Sequence, residues 1–144
     1  QVRHDVGVDE QHFTAILDAM QDVIEDPSGT GRRALNPGIA TCGKTGTVQN
    51  IGKPDHSVFM ALAPRENPQI ALSVYVENAG AGGEWAAPIA GLLVEKYILG
   101  DIGNKARESR VMGSTYPLDP TFVDPATMAQ NQAASNNPEI QDTP

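Results

Sequence analysis

Gly43-Lys44-Thr45-Gly46-Thr47 brings one ammonium and two hydroxyls together within five consecutive residues. In an extended chain successive side chains point to opposite faces, so Thr45 and Thr47 share one face and Lys44 emerges from the other. Two hydroxyl donors in line are suited to holding a ligand carboxylate. Gly46 removes the side chain between them and lets a ligand or a packed neighbour approach the backbone closely. A strand with a glycine bulge and an exposed lysine would also account for an isolated match of this length.

The remaining chemistry-bearing residues form weaker patterns. His4, His12, His56, Cys42 and Asp55 lack the paired spacing of a metal site, so no metal and no cofactor is expected. Gly80, Gly82 and Gly83 follow a strand and precede a helix as a dinucleotide loop would, but Trp85 stands where the last glycine is needed and no phosphate-binding lysine follows. A flexible loop at the rim of a site is the better expectation. Cys42 is the single cysteine, which excludes an internal disulfide, and reads as a small core residue.

Helical spacing of Phe13, Ile16, Leu17, Met20, Val23 and Ile24 predicts an amphipathic helix, with Asp9 as N-cap and Asp26-Pro27-Ser28-Gly29 as its end. Gly29-Thr30-Gly31 reads as a turn. Small, β-compatible residues from Ile39 to Gln49 predict the strand that carries the lysine and threonines. Ser57–Ala63, apolar on both alternating faces, predicts a strand covered on both sides, and Ile70–Val76 a third strand. Short turns between them predict an antiparallel meander. Trp85, Ile89, Leu92, Leu93 and Tyr97 predict a second helix stopped by Gly100, with Pro88 in its first turn. Beyond Asp101 scattered prolines among polar residues predict an irregular tail.

Eighteen acidic against ten basic residues give a net charge of −8, and the longest basic run is Arg32-Arg33, so nucleic acid is not an expected partner. No apolar stretch is long enough to span a bilayer. A three-stranded meander with a helix at each end is too small to be covered properly, so further sequence is expected upstream of Gln1.

The ordered series as a whole resembles the monofunctional, PBP2-like penicillin-binding proteins, which crosslink peptidoglycan. It consists of the helix ending at Val23-Ile24, Gly29-Thr30-Gly31, Gly43-Lys44-Thr45-Gly46-Thr47, His56 and Phe59 before Ala63-Pro64, Asn67-Pro68, Val76-Glu77-Asn78, and Ala87-Pro88-Ile89-Ala90 before Tyr97-Ile98-Leu99. K-T-G with S-x-x-K and S-x-N is the signature set of that family and its β-lactamase relatives. The resemblance implies an α/β fold of the α+β type, an antiparallel sheet flanked by helices as in penicillin-binding proteins and serine β-lactamases. It divides the chain into residues 1–102, the C-terminal portion of a transpeptidase domain, and 103–144, an irregular tail.

The same resemblance implies roles. Thr45, Gly46 and Thr47 would bind the substrate, a D-Ala-D-Ala stem peptide or a β-lactam; Lys44 and Thr47 would serve catalysis. The backbone N–H of Thr47 would form half of the oxyanion hole, and Lys44 would contact the S-x-N serine and supply a positive field. The nucleophile is missing: no serine has a lysine three residues later, and Ser135-Asn136-Asn137 lies after the lysine strand, whereas the family puts S-x-N before it. The implied setting is the periplasmic face of the bacterial inner membrane, with the anchor and the upstream half of the domain outside this chain. A β-lactam-sensing domain without catalysis, or a D,D-carboxypeptidase or serine β-lactamase relative, would share these strands.

Overall fold

The structure, a computed structural model, describes residues 7–114. Helix α1 spans Glu10–Glu25 and buries Ile24, while Phe13 and Ile16 on the same stripe stay half exposed. Asp9 occupies the N-cap position without a side-chain cap bond. At the other end the Asp26 carboxylate accepts from the backbone N–H and the hydroxyl of Ser28, which holds its carboxyl below the usual range. A 3-10 turn, Arg32–Ala34, leads to the sheet.

Strands β1 (Cys42–Val48), β2 (His56–Ala63) and β3 (Ile70–Val76) form the antiparallel meander expected from the two short turns, in the order β1-β2-β3. The register sets Lys44 opposite Met60, Thr45 opposite Phe59 and Phe59 opposite Val74. Because side chains alternate, Thr45, Phe59 and Val74 share one face and Lys44, Met60 and Tyr75 the other. β1 begins later than expected: Ile39 bridges only to Asn36, and Cys42 is the first residue of the ladder.

Helix α2 (Ala86–Leu99) ends at Gly100, whose φ of 79° lies in the left-handed region a C-cap glycine serves. Phe59, Ala61 and Val74 pack with Ile24 of α1 and with Ala86, Ala87 and Ala90 of α2, so α2 and the C-terminal end of α1 pack on one face of the sheet. The alanines let α2 approach the strands closely. A second cluster joins Ile39, Ala63 and Val94. On the opposite face Met60 is 53% and Tyr75 52% exposed. The expectation that β2 is covered on both sides therefore holds for one face only among the described residues, and Leu72 packs against the covered face, where Val74 is buried.

The expected irregular tail begins with a helix. Helix α3 (Lys105–Met112) stands where an irregular tail was expected, started by the Asn104 side chain, which accepts the Arg107 backbone N–H at 3.0 Å. It buries no residue of its own and is held by polar reach: Arg107 donates from Nη2 to the Leu35 carbonyl at 2.7 Å. Gly91 of α2 makes room for that guanidinium, since a Cβ there would lie 2.0 Å from Arg107 Nη1. The expectation for 115–144, including the chance S-x-N at Ser135, falls outside the described residues.

Candidate active site groove

β1 is an edge strand of the described sheet, and its threonine face looks onto an open groove of about 690 Å³. Thr45 and Thr47 line it from the strand, Thr30 and Arg33 from the segment after α1, and Gly82 and Gly83 from the β3–α2 loop. Three separate stretches of sequence thus meet around the two hydroxyls. Thr30 Oγ1 lies 2.9 Å from Thr45 Oγ1, and the Gly82 N–H donates to Thr47 Oγ1 at 3.5 Å.

Glycines make this convergence possible. A Cβ on Gly43 would sit 2.5 Å from the Phe59 ring, so that position keeps the core residue beneath the strand. On Gly82 it would sit 2.3 Å from the Val58 carbonyl oxygen and 2.4 Å from that of Gly46, a backbone-to-backbone approach that only glycine permits. Gly46 contributes only its backbone to this approach, since a Cβ there would point to the other face and meet Val58 at 3.4 Å. Ser57 of β2 fixes the loop's exit: its hydroxyl, fully buried, donates to the Ala81 carbonyl at 2.9 Å and accepts the Ala86 N–H at 3.0 Å. A strand side chain thereby caps the first turn of α2, a function no residue adjacent in sequence performs.

Lys44 is exposed and leaves the strand on the face opposite the threonines, as alternation requires, but its ammonium folds back to donate to the Thr45 carbonyl at 2.9 Å and lies 3.5 Å from Thr45 Oγ1. The positive charge therefore reaches the end of the hydroxyl pair. At the rim, one oxygen of Glu84 meets Arg33 at 2.6 Å and Arg110 at 2.8 Å. The hydrogen bond from Arg33, reinforced by the charges of Arg33 and Arg110, holds the Glu84 carboxyl below the usual range. Arg110 also lies over the Trp85 ring, 4.8 Å from its centroid.

The sequence had singled out Lys44, Thr45, Gly46 and Thr47, and the structure brings all four to one edge. Thr30, Ser57 and the Arg33–Glu84 pair were not legible as site residues. The one available signal was Thr30 standing between two glycines. Among the described residues no three His, Cys, Asp or Glu side chains gather as a metal-binding group, and no helix is long and apolar enough to cross a membrane.

Residues 1–95 match the family model described as the penicillin binding protein transpeptidase domain. The chain belongs to that family. It is 33% identical over 95 residues to the peptidoglycan D,D-transpeptidase MrdA of Haemophilus influenzae, an alignment covering 55% of this chain and 15% of that protein. With MrdA of Acinetobacter baumannii identity is 34% over 108 residues, 65% of this chain and 16% of the relative. The chain thus spans only about a sixth of the length of these relatives. Among solved structures, penicillin-binding protein A of Mycobacterium tuberculosis in a cephalosporin acyl-enzyme complex superposes with a TM-score of 0.58 at 27% identity, covering 68% of this chain and 24% of that one. Pseudomonas aeruginosa PBP2 gives 0.54 at 29% identity, covering 67% and 22%. These likenesses support a PBP2-like penicillin-binding transpeptidase fragment with an α+β fold.

Proposed function

We propose that this chain is the substrate-binding, C-terminal portion of a peptidoglycan D,D-transpeptidase, which crosslinks stem peptides through a serine acyl-enzyme and is inhibited by β-lactams. The observation that carries the proposal is the pair of hydroxyls, Thr45 and Thr47, set along one groove edge with the Lys44 ammonium 3.5 Å from the first of them. A terminal D-Ala carboxylate, or the carboxylate of a β-lactam, accepts from those two hydroxyls, and Lys44 adds a favourable field. Gly46 lies between the two threonines and contributes backbone to the strand edge against which the peptide lies. Thr47 doubles as an oxyanion donor through its backbone N–H, as the family resemblance implies.

The serine nucleophile and its lysine come from an S-x-x-K segment outside these residues, since no serine here is followed by lysine three positions later. The partner of this chain is therefore the remainder of the transpeptidase domain, and the working site is the periplasmic face of the bacterial inner membrane, held by an anchor elsewhere in the protein. Fluorescent penicillin labelling of the complete enzyme, with and without the Lys44→Ala change, tests the reading. Stoichiometric labelling that Lys44→Ala slows supports it; a complete enzyme that never labels overturns it.

A further inference from the structure

The Thr45 hydroxyl has a partner that its own strand does not provide. Thr30 Oγ1 stands 2.9 Å away, across fifteen residues of sequence. The Thr30 side chain is exposed, yet its backbone is wedged from three directions. A Cβ on Gly29 would lie 2.3 Å from the Val23 carbonyl oxygen, one on Gly31 2.8 Å from the Phe59 ring, and one on Gly83 2.3 Å from the Thr30 carbonyl oxygen. The Gly31 N–H also donates to the Val23 carbonyl at 2.9 Å. Three glycines and the end of α1 therefore fix where this one hydroxyl stands.

A hydroxyl carries one proton and two lone pairs. Between two hydroxyls 2.9 Å apart only one proton lies in the shared bond. Should Thr45 donate to Thr30, no proton remains for a ligand carboxylate. With Thr30 as the donor, the Thr45 proton is turned toward the groove and its oxygen is polarised by the bond it accepts, which strengthens the bond it makes. An arriving carboxylate selects the second arrangement. We propose that Thr30 is a positioning residue, which donates to Thr45 and so presents the Thr45 proton to the carboxylate of the stem peptide or β-lactam. This inference rests on the proposed role of Thr45 as a carboxylate donor.

The test uses the complete enzyme and two probes, a β-lactam with its carboxylate and the methyl ester of the same compound. Thr30→Val, close in shape but lacking the hydroxyl, lowers the second-order acylation rate for the carboxylate probe by about threefold to tenfold, the range of one neutral hydrogen bond. The ester rate stays at that of the parent enzyme. Thr30→Ser restores the carboxylate rate, and Thr30→Val adds nothing in a Thr45→Val background. Equal slowing of both probes, or slowing that Thr30→Ser does not restore, overturns the inference, because packing alone would produce it. Should Thr45→Val slow the carboxylate probe while Thr30→Val leaves it unchanged, the inference fails and the role of Thr45 stands. An unchanged rate in Thr45→Val overturns that role itself, and the inference with it.

Discussion

The Thr47 oxygen accepts from the Gly82 N–H, so its own proton remains available to a ligand in the groove. A hydrogen bond from such a hydroxyl to a carboxylate is charge-assisted and contributes about 1.5–3 kcal/mol. Thr47→Val in the complete enzyme is accordingly expected to acylate roughly tenfold to a hundredfold more slowly, measured as the second-order rate with penicillin; an unchanged rate would remove Thr47 from the binding set. Gly82→Ala is expected to be worse for stability than for chemistry. Its methyl meets two carbonyl oxygens at 2.3 and 2.4 Å, a strain worth about 1–3 kcal/mol in thermal unfolding. Cys42 behaves oppositely to a reactive thiol. It is fully buried, its thiol donates to the Leu17 carbonyl at 3.4 Å, and burial pushes its pKa up despite the opposing charge of Arg65. Alkylating reagents at neutral pH are expected to leave it unmodified until denaturant is added.

At the scale of elements, α3 is fastened through its arginines. Glu84 in the β3–α2 loop holds Arg33 and Arg110 by a single oxygen, and all three side chains are more than a third exposed, so solvent weakens each bond. The carboxyl of Glu84 is depressed in the folded state, so its contribution is fully present above the unfolded value of about 4.3 and is lost as pH falls through the lower folded value. Hydrogen-exchange protection of α3, corrected for intrinsic rates, is expected to hold between pH 5 and 8 and to fall only in acid below about pH 4. Glu84→Gln is expected to lower that protection at neutral pH as well. The same fastening explains what the sequence could and could not reveal. Ile24, Phe59, Val74 and the alanines of α2 follow the periods of helix and strand, so α1, the meander and α2 were legible. Helix α3 follows no apolar period because Arg107 and Arg110 hold it through distant partners. Thr30 and Ser57 were invisible for a related reason: each works on a residue more than a dozen positions away, which no local pattern encodes.

For the molecule as a whole, the described residues cover one face of the sheet and leave Met60 and Tyr75 about half exposed on the other, beside Val58 and on the side that carries Lys44. Exposed apolar side chains grouped on a sheet face in this way mark a surface for packing or a liability to aggregate. The chain expressed alone is therefore expected to aggregate or to bind hydrophobic dyes, and not to label with fluorescent penicillin, since it contributes groove donors without a nucleophile. Joined to the remainder of the transpeptidase domain that the proposed function requires, it is expected to be monodisperse and to label. Stoichiometric labelling of the isolated chain would mean that one of its own serines is the nucleophile.

The approach of Gly82 to Gly46 also bears on how such a groove can evolve. Because the contact is made by backbone atoms, position 82 offers no side chain to adjust, and in the proposed binding role any substitution there would move the floor on which a ligand rests. An inhibitor and a natural peptide that share the same hydroxyls would lose affinity together. Selection for discrimination between them is thus directed outward, to Arg33 and Glu84, whose side chains border the groove and can change without shifting the strand.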